Sequence, residues 1–240
     1  GFSFTPLIQD SYATGEAMLI AGEVTDEALA DGQILLQFVS SGEGEEIQVF
    51  INLEGLAFRS YHVFSHDTAG EYSVNLFAGG KGSSQLDYVA TFDGFVVLQS
   101  EGPISLPRDF FSGVELDAPL LTQFSTKYGA SFAGRVLDSA KVDGQVLFNF
   151  VAASGEELPV FARLSGLEFR RGYLFPNGLA GSYKLEVYLG GVDDSSLAFV
   201  GSYPVTLIED GIPEELPVDF FTEVIFDQPL PIHLSVERDL

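Results

Sequence analysis

The stretch that decides the fold is DTAGEYSVNLFAGG at residues 67–80, because a version of it returns as NGLAGSYKLEVYLGG at residues 177–191. In the first copy Tyr72, Val74 and Leu76 alternate with polar residues, and Tyr183 and Leu185 begin the same alternation in the second. Apolar residues at every second position are typical of a β-strand with one face in a core. The repeated stretch is therefore predicted to be a half-buried strand in each half of the chain.

Three other pairs of stretches repeat in the same order along the chain. They are DGQILLQFV (31–39) with DGQVLFNFV (143–151), LEGLAFR (53–59) with LSGLEFR (164–170), and LPRDFFSGVELDAPL (106–120) with LPVDFFTEVIFDQPL (216–230). A period of about 110 residues fits a whole small domain and is too long for a solenoid repeat. The sequence therefore predicts two modules related by internal duplication, residues 1–120 and residues 121–240.

Each module is predicted to be all-β. Turn-rich clusters such as SSGEGEE, AGGKGSS and GGVDDSS separate short apolar runs, which gives eight or nine strands per copy. The alternating residues Ile34, Leu36 and Phe38 keep their apolar character in the second copy, whereas their outward neighbours differ. We expect that duplication preserved the inward face and let the outward identities vary. The one helical pattern, TDEALADG at 25–32, predicts a single turn at most.

The stretch DTAGEYSV resembles the segment that leads into strand F of immunoglobulin-like domains, where a tyrosine corner occurs. The resemblance implies two tandem immunoglobulin-like antiparallel β-sandwich domains, with the rings of Tyr72 and Tyr183 buried and their hydroxyls bonded to upstream backbone. Val74 and Leu185 stand where antibody-type domains carry the second cysteine, and the chain has neither cysteine nor tryptophan. It is thus similar to disulfide-free bacterial immunoglobulin-like modules, including macroglobulin-like and other exported sandwich repeats, a fold that by itself implies no function.

Charge restricts the partners of the chain. It has 35 acidic and 11 basic residues, a net charge of -24, so both nucleic acid and anionic membrane surfaces would repel it. No apolar run approaches the 18 or so residues of a membrane span, and GFSFTPLIQD at residues 1–10 has no signal-peptide pattern. We expect a soluble segment cut from a longer exported precursor.

The histidines suggest a metal site, but their spacing does not favour one. On a strand, His62 and His66 would lie about 13 Å apart at about 3.3 Å per residue, too far for one ion even with Asp67 as a third ligand. A turn or strand-surface role is predicted instead. The sequence SHD at 65–67 has the residue types of a hydrolytic triad, yet adjacent residues do not converge as a triad requires, and His233 lies outside the repeat. The chain is predicted to be non-catalytic, with no catalytic, cofactor-binding or metal-ligating residues assigned.

Acidic loops leave calcium as an open alternative. Oxygen ligands cluster at Asp193 and Asp194 and at Glu43, Glu45 and Glu46, without the spacing of an EF-hand. Solvated turns are the favoured interpretation, so no cofactor is predicted.

One arginine and two aspartates of the first copy recur in the second, as the pairs Arg59 and Arg170, Asp109 and Asp219, and Asp117 and Asp227. We expect the aspartates to cap turns or fix backbone near the module ends. Each arginine is predicted to pair with an acidic neighbour, among which these aspartates are candidates. The alternative, binding of an acidic ligand, is opposed by the negative field of the chain.

The aromatic residues, 22 Phe and 9 Tyr without Trp, indicate a core role first, with Tyr61 and Tyr188 as candidates for outward rings. The function predicted from these patterns is a non-catalytic structural, spacer or interaction module of an exported or cell-surface bacterial protein, extracellular or periplasmic. The alternatives are a carbohydrate- or protein-binding module, which a strip of exposed aromatic residues would support, and an accessory domain of a larger secreted enzyme.

Overall fold

A computed structural model describes residues 1–42, 46–83, 85–102, 104–192, 194 and 196–211, together with the backbone of residues 215–216 and 230–231. Their regular secondary structure is almost entirely β-strand, so the all-β prediction is confirmed. The chain divides into two compact units, Gly1–Ile104 and Ser105–Leu240. Among the residues described, no helix has the length and apolar character that a membrane crossing requires.

The first unit has eight strands in one curled sheet. They are β1 (Phe2–Phe4), β2 (Ser11–Ala13), β3 (Ala17–Val24), β4 (Gln33–Ser40), β5 (Ile47–Glu54), β6 (Ala57–Val63), β7 (Gly70–Gly79) and β8 (Asp87–Leu98). Their order across the sheet is β1-β3-β6-β5-β4-β7-β8-β2, and all neighbours are antiparallel except the parallel pair β8 and β2.

Strand β5 turns this sheet into two layers. Its first six residues pair with β4, and its last two, Leu53 and Glu54, pair with β6. The layer β1-β3-β6 therefore faces the layer β4-β7-β8, as the two sheets of an immunoglobulin-like sandwich do. Inward side chains such as Ile20, Ile34 and Phe38 are almost fully buried between the layers. Each contributes about 1.5 to 3 kcal/mol through burial of apolar surface.

The second unit repeats this arrangement. Its main strands are β10 (Val114–Leu116), β12 (Gln123–Ser125), β13 (Ala130–Val136), β14 (Gln145–Ala152), β15 (Glu157–Ser165), β16 (Glu168–Tyr173), β17 (Gly181–Gly190) and β18 (Ala198–Ile208). Their order, β10-β13-β16-β15-β14-β17-β18-β12, matches that of the first unit strand for strand. Two short ladders add β9 (Ser105–Leu106) with β11 (Leu120–Leu121), and β19 (Glu215–Leu216) with β20 (Leu230–Pro231).

The division of the chain differs from the predicted boundary at residue 120. Strand β10, at residues 114–116, pairs with β13 of the second sheet in the same way that β1 pairs with β3 of the first. The matched stretch 106–120 therefore contributes the first strand of the second unit.

Both tyrosine corners are present. The hydroxyl of Tyr72 donates to the carbonyl oxygen of Thr68, and that of Tyr183 donates to the carbonyl oxygen of Leu179, each over 2.7 Å. The ring of Tyr72 is buried and that of Tyr183 is half-buried. The contact predicted from the resemblance is confirmed in both units.

The helical prediction at residues 25–32 is confirmed as a single 3-10 turn, Glu27–Leu29, with a counterpart at Ser139–Lys141. Asp26 and Asp138 cap these turns by accepting a backbone N–H two residues later. A third turn of this kind, His66–Thr68, precedes β7.

Candidate interaction surface

A row of four apolar side chains crosses the outer face of the first unit. Register places Phe50 of β5 opposite Leu35 of β4, Leu35 opposite Phe77 of β7, and Phe77 opposite Tyr88 of β8. Leu35 alternates with buried neighbours on its strand, so the row points away from the core. Phe50 is 53% exposed and Tyr88 is 60% exposed. The rings of Phe77 and Tyr88 meet edge to face, with centroids 5.8 Å apart. We call these four residues the first aromatic row.

The second unit carries an equivalent row. Phe161 of β15 lies opposite Leu147 of β14, Leu147 opposite Tyr188 of β17, and Tyr188 opposite Phe199 of β18. Phe161 is 48% exposed and Phe199 is 56% exposed. The rings of Tyr188 and Phe199 are again edge to face, with centroids 5.5 Å apart. These four residues are the second aromatic row.

The two rows correct one expectation from the sequence. Outward identities were expected to vary between the copies, yet every position of this row is a leucine or an aromatic residue in both units. Across four strands spaced about 4.8 Å apart, each row spans roughly 14 Å. The prediction that Tyr188 points outward is confirmed, and its place in the row explains why it does.

The row of residues next to the first aromatic row is polar and uncharged, and Gln48 at its end donates to the carboxylate of Glu46. The adjacent row across the strands consists of Gln48, Gln37, Asn75 and Thr91. The side-chain amide of Asn75 donates to the side-chain oxygen of Gln37 over 3.1 Å, and the hydroxyl of Thr91 donates to the side-chain oxygen of Asn75 over 2.6 Å. The hydroxyls of Tyr88 and Thr91 lie 2.9 Å apart, which links this polar row to the aromatic one.

The surroundings of the second aromatic row are charged. Glu186 lies next to Asn149 in the register and forms an ion pair with Lys184 over 2.8 Å. Its other carboxylate oxygen accepts a hydrogen bond from the hydroxyl of Tyr188 over 2.6 Å. The hydrogen bond from Lys184 lowers the pKa of Glu186, and the hydrogen bond to Glu186 raises the pKa of Tyr188 to about 12. The hydroxyl of Tyr188 is thus held against the carboxylate of Glu186, which Lys184 holds in place.

The structure separates the two histidines of the predicted turn. His62 occupies an inward position of β6, where its ring stacks on Phe38 and meets Phe64 edge to face. Burial lowers its pKa to about 4. The predicted strand-surface role is wrong for His62, because it lies on the same face of β6 as the buried Phe58 and its ring stacks on the buried Phe38. His66 lies in a turn, as predicted, with its Nδ1 3.2 Å from the hydroxyl of Thr14.

The sequence SHD forms a local turn. The hydroxyl of Ser65 donates to the carboxylate of Asp67, and the hydroxyl of Thr68 donates to the carbonyl oxygen of Ser65. Within the described residues, no three His, Asp or Glu side chains come close enough together to hold a metal ion.

The repeated arginines have different partners. Arg170 forms an ion pair with Asp117 over 3.3 Å, so the predicted pairing with a repeated aspartate is confirmed in the second unit. In the first unit Arg59 donates to the hydroxyl of Tyr61 over 2.9 Å, and its guanidinium lies 5.3 Å from the centre of that ring. The ring of Tyr61, an outward candidate, is half-buried under this contact.

Among the acidic loop residues, Asp194 accepts a hydrogen bond from the backbone N–H of Gly191 and forms an ion pair with Lys141 over 2.7 Å. The first of these contacts, with help from the second, lowers the pKa of Asp194. Glu46 accepts a hydrogen bond from Gln48. The other candidates for calcium, Glu43, Glu45 and Asp193, lie outside the described residues, as do Asp219, Asp227 and His233.

Sequence reasoning missed seven of the eight residues in the two rows, because periodicity shows which face a residue occupies but not which strands are neighbours. The signal that was available is that Leu35 and Leu147 hold equivalent positions in DGQILLQFV and DGQVLFNFV. In the structure, the strands next to these two stretches bring aromatic residues into line with Leu35 in the first unit and with Leu147 in the second.

No protein-family model matches the chain, and no curated protein matches it. Among solved structures, a tetra-tandem repeat in the extending region of a large adhesion protein is 12% identical with a TM-score of 0.29, over 84% of this chain and 47% of that one. The chicken CNTN1 FN1–FN3 domains are 12% identical with a TM-score of 0.27, over 84% and 63%. A two-domain fibronectin type-III segment of chicken tenascin is 13% identical with a TM-score of 0.26, over 86% and 97%. The chain thus spans less than two thirds of the first two, and with TM-scores this low none of the likenesses supports a conclusion about function.

Proposed function

We propose that this chain is a non-catalytic interaction segment of an exported or cell-surface bacterial protein, and that the two aromatic rows are its contact surfaces. The observation that supports the proposal is the recurrence of the same outward row in both units. Packing alone preserves inward residues during the divergence of a duplicated domain. The recurrence of half-exposed residues such as Phe50 and Phe161 therefore supports a role at the surface.

The physical properties of the rows suit binding. Large aromatic side chains supply much contact area with few rotatable bonds, and their exposed faces gain free energy when a partner covers them. A contiguous exposed apolar strip on a soluble protein is characteristic of an interaction site. Two such rows on one chain would also raise the apparent affinity for a polymeric partner, because the second contact forms at high effective concentration.

The first candidate partner is an uncharged polysaccharide. The first aromatic row is flanked by Gln37, Asn75 and Thr91, whose amide and hydroxyl groups both donate and accept hydrogen bonds. Sugar rings present apolar C–H faces to aromatic side chains and hydroxyls to such polar groups. Anionic polysaccharides would be repelled by the net charge of -24.

The second candidate partner is a protein, and the second aromatic row favours it. There the flanking groups are the ion-paired Lys184 and Glu186. Aromatic anchors bordered by charged groups are typical of the centre and rim of a protein interface.

The same proposal assigns no catalytic residue and no cofactor to the chain. The side chains that resemble a catalytic set are occupied otherwise, since Ser65 and Asp67 stabilise a turn and His62 packs against phenylalanine rings. Calcium binding by the acidic loops stays an alternative. A rise in the thermal unfolding temperature on adding calcium, reversed by a chelator and absent with magnesium, would establish it.

Affinity gel electrophoresis tests the polysaccharide proposal. The chain is run through gels that contain hydroxyethyl cellulose, neutral arabinoxylan or mannan, with alginate as the anionic control. We expect retardation in at least one neutral gel, loss of most of it in Phe50→Ser/Tyr88→Ser, and no retardation in alginate. The matched control is Leu98→Ser, which removes an equally exposed apolar residue of β8 outside the row. Mobility that is the same in all gels, or retardation that survives the double variant, contradicts this partner and leaves the protein partner to be tested by the same variants.

A further inference from the structure

The first unit has an apolar groove of about 180 Å³ beside strand β8. Its apolar walls are formed by Phe4, Leu7, Ile8, Phe92 and Phe95, with core residues beneath. Leu7 is mostly exposed, and Phe92 is 49% exposed although it pairs in register with the buried Val74. We call this site the Phe92 groove.

In the second unit the position equivalent to Phe92 is covered. Tyr203 of β18 pairs with Leu185 as Phe92 pairs with Val74, and the Tyr203 ring is half-buried. Phe110 packs edge-on against this ring, with centroids 5.6 Å apart. The cover therefore comes from the segment that precedes β10.

The next residue, Phe111, makes the cover tight. Its side chain is buried, and it lies so close to Gly201 of β18 that a Cβ at Gly201 would be 3.0 Å from the phenylalanine ring. Leu106 is also buried, in the two-residue ladder that β9 forms with β11. Residues 106–111, LPRDFF, thus place two phenylalanine rings against β18 and bury a third large apolar side chain, that of Leu106.

The chain carries this segment a second time, as LPVDFF at residues 216–221, with five of six residues identical. The backbone of β19 and β20, at the start and end of the matched stretch 216–230, forms the same short ladder as β9 and β11. Among the described residues, one such segment, 106–111, covers one such surface, that of Tyr203. Residues 217–221 of the second segment lie outside the described residues. The exposed surface is that of Phe92.

We propose that residues 216–221 of one molecule dock in the Phe92 groove of a second copy, as residues 106–111 cover Tyr203 within the chain. The order of elements is the same in both cases. Residues 106–111 follow the strands of the first unit and cover the second unit, and residues 216–221 would follow the strands of the second unit and cover the first unit of the next molecule. The contact is heterologous, joining different surfaces of the two molecules, so it would build head-to-tail assemblies. Because both copies are strongly acidic, association should strengthen as added salt screens their repulsion.

Sedimentation velocity of the full chain, from 5 to 500 µM in 0.05 M and 0.5 M NaCl, tests this docking. We expect concentration-dependent association that is stronger at high salt. Phe92→Ser, with an altered groove, and Phe220→Ser/Phe221→Ser, with an altered segment, should each weaken self-association at least tenfold. The decisive sample is their equimolar mixture, because the first variant keeps an intact segment and the second an intact groove. The mixture should form a dimer that stops at two molecules, at concentrations where each variant alone stays largely monomeric.

Circular dichroism and thermal unfolding establish that both variants are folded before they are mixed. Val192→Ser, which removes an exposed apolar residue of the second unit outside the groove, is the matched control and should associate like the parent chain. A chain that stays monomeric at 500 µM in 0.5 M NaCl overturns the proposal. So does association that either variant weakens less than tenfold, a mixture that forms no dimer, or association that is abolished by Phe50→Ser/Tyr88→Ser instead.

Discussion

The hydroxyl of Tyr183 donates a hydrogen bond to the carbonyl oxygen of Leu179 over 2.7 Å, which joins the start of β17 to the turn before it. Replacing Tyr183 with Phe removes this bond and leaves the ring in place. Because a hydrogen bond of this type contributes about 1 kcal/mol net, we expect Tyr183→Phe to lower the free energy of unfolding of the second unit by about that amount. Urea unfolding followed by circular dichroism measures the change. Tyr72→Phe is the matched variant of the first unit, and no change in either unit would contradict the role assigned to the corner.

Asp143 combines a left-handed backbone with a hydrogen bond. Its φ is 56°, and its carboxylate accepts the backbone N–H of Gly166 over 2.8 Å. Alanine loses the acceptor and keeps the steric penalty of about 1 to 2 kcal/mol that any L-residue bears in this region. Glycine also loses the acceptor but escapes the penalty, so Asp143→Ala should be less stable than Asp143→Gly. Equal stability of the two variants in urea unfolding would show that the backbone conformation is not maintained.

His62 makes the first unit sensitive to acid. Burial lowers its pKa from 6.5 to about 4, so the folded unit holds the imidazole neutral while the unfolded chain protonates it below pH 6.5. The contribution of this pKa shift to the free energy of unfolding is complete above pH 6.5. It falls by about 1.4 kcal/mol per pH unit as the pH falls toward 4. His62→Gln should reduce this pH dependence by roughly 3 kcal/mol between pH 7 and pH 4. The carboxylates titrate in both proteins, so the difference between variant and parent is the quantity to measure. A difference that does not vary with pH would contradict the assignment.

The outer residues of the second aromatic row should contribute little to folding. Phe161 and Phe199 are about half exposed, and cross-strand pairs of this kind contribute roughly 0.2 to 1 kcal/mol each. We expect Phe161→Ser/Phe199→Ser to remain folded and to lose less than about 2 kcal/mol of unfolding free energy. Phe148→Ser, which alters a fully buried residue of β14, is the control and should unfold the unit or destabilise it severely. A double variant that unfolds would show that the row serves the sheet rather than a partner.

The inward face was predictable from the sequence because a strand has a period of two, and Ile34, Leu36 and Phe38 leave no other register that buries them. The tyrosine corners were predictable because a local segment determines them. The division at Ile104 was harder to predict, since the matched stretch 106–120 reads equally well as the end of one module or the start of the next. Only the pairing of β10 with β13 resolves this.

The aromatic rows could not be predicted from the sequence, for a different reason. Phe50 and Tyr88 are 38 positions apart in the chain and come into one row only through the register of four strands. Strand pairing depends on non-local contacts that no single stretch encodes. The inward position of His62 was missed for a related reason, because a residue near the end of a strand can point to either face of the sheet.

The central claim is that the aromatic rows are the contact surfaces of this chain. A map of ¹H–¹⁵N amide shifts, recorded with and without the neutral polysaccharide that retards the chain in gels, tests it most directly. The account predicts shifts concentrated on β4, β5, β7 and β8 around Leu35 and Phe77, on the equivalent strands around Leu147 and Tyr188, and absent from β3 and β13. Shifts confined to loops or to β3 and β13 would contradict it.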